Sequence, residues 1–325
     1  MRAIEFRRFG HPSQLALVER PDLKATESNA IVRVMAASIN PSDVKNVAGH
    51  MKQTTLPRIP GRDYSGVVVD GPEEWIGEEV WGTGGDVGFT RDGTHAEFVS
   101  VPRSSLVRKP KCLTHEQAAS IGVTFVTAWC AVKEYAKIQP GEIIAVIGSR
   151  GGVGRAAAQI AKYFGAYVIG VNRLNGVASR DEIDVEDLIL DSSDPELASL
   201  LRILQGGRGA DVVLNTAGSQ MFEVGLRMLE RRGRHVEISA GKERRVSFDL
   251  TDFYHNESQL LGVDTLKRDL VDSACILREL AKGFDCGALR PHADIKKFPH
   301  ERAHEAYEHV QQGRGGRAVL TMERP

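Results

Sequence analysis

The chain has 325 residues, enough for two modest domains and a substantial core. Its 42 Lys and Arg nearly cancel 43 Asp and Glu, so composition gives no pull toward nucleic acid or an anionic membrane. No apolar run approaches the roughly 18 residues of a membrane span, and the basic opening MRAIEFRRFG has no apolar block behind it, so neither an anchor nor a secretory signal is read and a soluble, cytoplasmic protein is expected.

Residues 1 to about 117 read as β-rich. Short runs at 30–35, 66–69, 79–81 and 96–101 are separated by Gly, Pro and Asp clusters, which predicts a compact, barrel-like β domain. Thr114, with Gln117 three residues later and Ala118, Ala119 and Ile121 following, signals a helix start of the capping-box kind. Strands and helices then alternate to about Val263. Helices are predicted over 128–135, 153–164, 195–204 and 222–229, and strands over 143–147, 167–171, 185–190, 210–215, 235–240 and 259–263. Such alternation implies a parallel sheet covered on both faces. The tail adds helices over 270–282 and 299–312 and a last strand over 317–322. Four scattered cysteines (Cys112, Cys130, Cys275, Cys286) form no CxxC pair, which argues against a disulfide framework or a cysteine-rich zinc site.

The most informative stretch is AVIGSRGGVGRAAAQIAKYFGAYVIGVNR, residues 145–173. An apolar run stops at Gly148, passes a glycine-rich turn and enters a helix whose apolar face is Val153, Ala156, Ala157, Ile160, Ala161 and Phe164. Strand, glycine turn and helix in one β-α-β unit predict a dinucleotide site, with phosphate held by Ser149, Arg150, Gly151, Gly152 and Val153 and with Gly154 packing helix on strand. The second strand ends Gly170-Val171-Asn172-Arg173, where an NAD-binding unit usually carries an acid. A neutral Asn172 and a cationic Arg173 favour a 2′-phosphate, hence NADPH.

Several stretches in register resemble the medium-chain dehydrogenase/reductase superfamily, in its zinc-independent, quinone-oxidoreductase-like branch. They are Ser38-Ile39-Asn40-Pro41-Ser42-Asp43, Pro60-Gly61-Arg62-Asp63-Tyr64-Ser65-Gly66, Gly93-Thr94-His95-Ala96-Glu97-Phe98, the glycine unit, Ala210-Asp211-Val212-Val213-Leu214-Asn215 and Gly316-Arg317-Ala318-Val319-Leu320. The resemblance implies an α/β protein in two parts. A GroES-like β-barrel domain (1–117, completed by 268–325) and a doubly wound, parallel-sheet Rossmann domain (118–267) would hold the active site in the cleft between them. A homodimer is implied by the family alone.

Zinc-dependent members of that superfamily bind catalytic metal through Cys and His at positions that here read Asn40, Arg62 and Val123. An amide, a guanidinium and an isopropyl group do not suit Zn²⁺, so no metal site is expected. Without a Lewis acid, alcohol oxidation loses its usual activation, whereas hydride addition to a conjugated acceptor needs only hydrogen-bond donors for a delocalised anion. The expected activity is therefore NADPH-dependent reduction of a quinone or an activated C=C bond. The alternatives are an enoyl-thioester reductase, disfavoured by Met51 where such relatives carry a tyrosine, and a cofactor-binding protein with little catalysis.

By resemblance, Asn40 faces the nicotinamide and Thr124 and Thr127 reach its ribose, Asn40 and Thr124 being the catalytic candidates. Asn215 and Ala217, then Ser239, Ala240 and Gly241, lie at strand ends along the cofactor. Gly262 and Val263 present backbone groups to the carboxamide, and Arg317 reaches the pyrophosphate from the tail. Asp63 is read as a partner for Arg62.

Overall fold

The computed structural model describes residues 1–174, 185–241 and 243–322. Two compact units form, Met1–Val126 with Thr265–Pro325 and Thr127–Asp264.

In chain order the first unit opens with β1 (Arg2–Glu5), β2 (Ala16–Glu19), β3 (Asn29–Ser38), α1 (Pro41–Val47), β4 (Tyr64–Asp70), β5 (Glu79–Gly82), β6 (Phe98–Pro102) and α2 (His115–Trp129). The second contains β7 (Ile143–Ile147), α3 (Gly152–Tyr163), β8 (Tyr167–Asn172), β9 (Leu188–Asp191), α4 (Leu197–Leu204), β10 (Ala210–Asn215), α5 (Phe222–Met228), β11 (Leu229–Glu237), α6 (Leu250–His255) and β12 (Gln259–Gly262). The chain then returns to the first unit through α7 (Leu270–Asp285), β13 (Ile295–Pro299), α8 (Ala303–Gln311) and β14 (Arg317–Thr321).

The first unit is built around β3, which is buried along most of its length and pairs with three strands. One edge carries β4; along the other, residues 29–33 take β6 and residues 36–38 take β14. Two register shifts on the β4 side, at Ile31/Val32 and Val34/Ala36, bend the strand so that it can serve both neighbours. Ile4, Phe6, Val32, Val34, Ile39, Tyr64 and Leu320 fill the core beneath it. β3 ends at Ser38, and Pro41 at the first position of α1 starts a short helix at once. The predicted helix start at Thr114 is a capping box, with Thr114 N–H donating to Gln117 Oε1 (2.9 Å) and Gln117 N–H to Thr114 Oγ1 (3.2 Å).

In the second unit six parallel strands run in the order β12-β11-β10-β7-β8-β9. β7 is buried throughout, as a central parallel strand must be. The order reverses between β7 and β10, and in open α/β sheets ligands bind at the carboxyl ends beside such a reversal.

Several elements depart from expectation; the strand expected over 185–190, for one, runs Leu188–Asp191. The helix predicted over 128–135 continues α2 as a wider π-type turn, Cys130–Tyr135, closed by Ala136 N–H on the Ala131 carbonyl (3.0 Å). The strand expected over 235–240 begins instead at Leu229, where α5 stops, and its ladder ends at Glu237 opposite Gly262. The helix expected from 299 starts at Ala303, because residues 295–299 form β13 beside β14.

Candidate cofactor turn and active-site residues

The strand exit after β7 uses Gly148, whose φ of +80° few other residues tolerate. Gly151 N–H closes the turn on the Gly148 carbonyl (2.9 Å), and α3 follows with its first amides unpaired within the helix. Gly154 must be glycine, since a Cβ there would sit 2.1 Å from the Gly148 oxygen. Helix and strand end therefore touch backbone to backbone, and the cradle suits a pyrophosphate.

Ser149 and Arg150 are braced from β8. Asn172 Nδ2 donates to Ser149 Oγ (2.8 Å), and Arg150 N–H donates to Asn172 Oδ1 (3.1 Å). Asn172, expected at a 2′-phosphate, is thus buried and turned into the phosphate turn. Its amide satisfies groups that a tight turn would otherwise leave unpaired. Ser149 Oγ donates in turn to Glu186 Oε1 (2.5 Å), in space that Gly170 leaves open: a Cβ on that glycine would lie 2.6 Å from Ser149 Oγ and 2.8 Å from Glu186 Cγ. Arg173 is exposed at the rim. Asp191 ends β9 as the register partner of Asn172, so it comes to the same rim.

The other rim candidates sit in one row, because Asn215 pairs with Ile147 and Glu237, and Glu237 with Gly262. Asn215 is fully buried and fully employed. Its Oδ1 accepts from Ala217 N–H (3.0 Å) and Gly218 N–H (3.1 Å), while Nδ2 donates to the Gly218 carbonyl (2.9 Å) and Glu237 Oε1 (2.7 Å). It shapes the loop after β10. Ser239 donates to the Thr216 carbonyl (3.5 Å), Ala240 and Gly241 are exposed, and Gly241 has φ +67°. Gly262 has open space where a Cβ would stand, whereas Val263 N–H is taken by the Glu237 carbonyl (2.9 Å).

In the first unit, Asn40 is the buried residue between β3 and α1. Its Nδ2 donates to Asp63 Oδ2 (2.9 Å), its Oδ1 accepts from Arg317 (2.7 Å), and its N–H donates to Asp43 Oδ2 (2.7 Å). Asp63 also accepts from Ser38 Oγ (2.9 Å) and Val123 N–H (2.9 Å). Arg317, expected at a pyrophosphate, is folded onto this network and donates as well to the Ser120 carbonyl (3.2 Å). Desolvation holds its guanidinium below the ordinary arginine value. Burial pushes the Asp43 carboxyl up to about 7, against the opposing pull of the Asn40 N–H bond. Arg62, the expected partner of Asp63, directs Nε to the Gly84 carbonyl (2.9 Å) and lies over the Phe89 ring.

Thr124 is buried in α2 with its hydroxyl on the Ile121 carbonyl (3.2 Å) and 3.3 Å from His292 Nε2. His292 gave no sequence signal, since it lies 168 residues away. Thr127 is buried on the same helix. Of the superfamily's zinc-ligand positions, Asn40 is committed to neighbours, Val123 contributes a backbone N–H, and Arg62 places a cation. This donor set does not fit Zn²⁺.

Family models match both parts of the chain: an alcohol dehydrogenase GroES-like domain over residues 26–111 and a zinc-binding dehydrogenase domain over 152–277. A zinc-type alcohol dehydrogenase-like protein of Schizosaccharomyces pombe is 35% identical over 264 residues, 80% of this chain and 77% of that one. Human quinone oxidoreductase is 25% identical over 335 residues, covering 99% of this chain and 98% of its own. A crystal structure of an NAD-dependent alcohol dehydrogenase superposes with a TM-score of 0.87 at 28% identity, covering 99% of this chain and all of that one. Among the described residues no helix is long and apolar enough to cross a membrane. With a GroES-like unit, a Rossmann unit and a glycine turn suited to a nicotinamide dinucleotide, the chain belongs to the medium-chain dehydrogenase/reductase superfamily, quinone-oxidoreductase-like, and is an oxidoreductase.

Proposed function

We propose that the protein reduces a quinone or an enone or alkenal C=C bond, with NADPH as donor and without zinc. The observation that supports this reading is the Asn40 amide, held between Asp63 and Arg317 at a position where, by the resemblance, zinc-dependent relatives carry a metal ligand. The reduced nicotinamide supplies a hydride. The amides at the start of α3, with Ser149 and Arg150, would hold its pyrophosphate, and Arg173 would meet the 2′-phosphate. Asn40, held in one orientation by Asp63 and Arg317, and Thr124, through its hydroxyl, stabilise charge that develops on the acceptor oxygen; water delivers the proton. The proposal includes a homodimer through the open edge of β12, where Leu260 is 46% exposed.

The test is an NADPH oxidation screen against quinones, alkenals, enoyl thioesters and simple aldehydes, repeated after prolonged chelation. Turnover of quinones or alkenals that survives chelation is expected. Turnover confined to enoyl thioesters, or activity that chelation abolishes and zinc restores, would refute it.

A further inference from the structure

The strand that sequence reasoning found without an acid has one beside it. β8 and β9 run parallel with Asn172 opposite Asp191, and Ser192 N–H donates to the Asn172 carbonyl (2.8 Å), so the two strand ends are tied together. Asp191 Oδ1 accepts from Ser193 N–H (2.9 Å), Ser193 Oγ (2.8 Å) and Leu174 N–H (3.3 Å). Three donors therefore fix the carboxylate on either side of Arg173 in the chain: Asn172 is its register partner and Leu174 its hydrogen-bond partner. The hydrogen bonds from Ser193, with a smaller contribution from the Arg173 charge, keep the Asp191 carboxyl below the usual carboxylate range, so it is ionised at neutral pH. Asn172 is withdrawn into the phosphate turn, and among the described residues Arg173 and Asp191 are charged groups at this rim.

We propose that Asp191, contributed by the neighbouring strand, is a cofactor-specificity residue. It accepts from the ribose hydroxyls of NADH and opposes the 2′-phosphate that Arg173 attracts, so that the site takes both dinucleotides. The inference rests on the cofactor reading above and deepens it. An ionised acid repels a neighbouring phosphate, whereas a ribose hydroxyl is a donor that an acid accepts. The carboxylate's acceptor atom is already oriented by groups outside the cofactor, so the preference is built into the resting chain.

The test measures direct binding of NADPH and NADH by nicotinamide fluorescence to the wild type, Asp191→Asn and Arg173→Ala. Asparagine keeps the acceptor oxygen that Ser193 and Leu174 use, so the strand end stays capped. The wild type is expected to bind the two within about tenfold of one another. Asp191→Asn should raise the NADPH-to-NADH affinity ratio by about fivefold, the value of one exposed charge pair, and less at high salt. Arg173→Ala should lower the ratio. An unchanged ratio in Asp191→Asn while Arg173→Ala shifts it would overturn the role of Asp191 and spare the proposed function. Failure of the wild type to bind either dinucleotide would overturn both.

Discussion

Two charged clusters, one in each unit, are built on opposite plans. Asp63 and Asn40 lie buried and Arg317 is half-buried, and most of their hydrogen bonds run among the three and to Ser38, Ser120 and Val123. Arg173 is exposed and Asp191 partly exposed at the strand-end rim. A buried network is costly to leave half made and hence rigid, which is what orienting a donor requires. A rim pair contributes little to stability and is free to be read by a ligand. On the proposed reading, orientation and selectivity fall to separate units.

The sharpest way to break this comparison is Asp63→Leu. It removes the acceptor of Ser38, Asn40 and Val123 together with a charge that balances Arg317, and should cost about 3–5 kcal/mol in denaturant unfolding. A loss comparable to that of a surface substitution would mean that the network is not a buried unit.

A smaller effect comes from pH. Asp43 is held near 7 in the folded chain against an ordinary value of 3.8, so the native state keeps a proton that the unfolded chain has lost. Its contribution is full below the unfolded value and is lost as pH rises toward 7. His95 works the other way. It is fully buried between the Ser38 carbonyl and Tyr307, and desolvation pushes it down to about 4, so stability falls as pH drops from about 6.5 toward 4. The two slopes oppose in one unit. Asp43→Asn removes only the first, so its stability relative to wild type should improve by about 2 kcal/mol between roughly pH 5 and pH 7. A pH-independent difference in thermal unfolding would contradict a protonated Asp43.

The smallest effect on folding belongs to the rim. Arg173→Ala should change unfolding free energy by less than about 0.5 kcal/mol, even while it alters dinucleotide choice. A loss of more than 2 kcal/mol, roughly, would make Arg173 structural and erase the contrast between the clusters.

Much of this was legible from sequence where the signal is local. The glycine turn declares itself because strand, turn and helix are contiguous, and Gly154 has the close contact its position implied. Thr114 and Gln117 cap each other at a separation of three residues. Illegible were relations that the fold creates at a distance. Arg317 meets Asn40 across 277 residues, so a tail arginine looked available to a phosphate when the resting structure engages it elsewhere. Asn172 looked outward because a strand's last residue can face either way; only the unmet needs of Ser149 and Arg150 turn it in. Asp191 and Glu186 were missed because sheet register, not spacing, brings them beside β8 and the turn. β13, with the sequence IKKFP and an exposed face, carries no apolar alternation to announce it.

The place of β14 also bears on how the molecule is made. Because this strand pairs with β3 and supplies Arg317, the ribosome finishes the entire Rossmann unit before the last partner of Asn40 is synthesised. An arrested chain ending ahead of Arg317 would therefore own its glycine turn yet carry Asn40 without the guanidinium that holds its Oδ1, with one unit complete and the other still open.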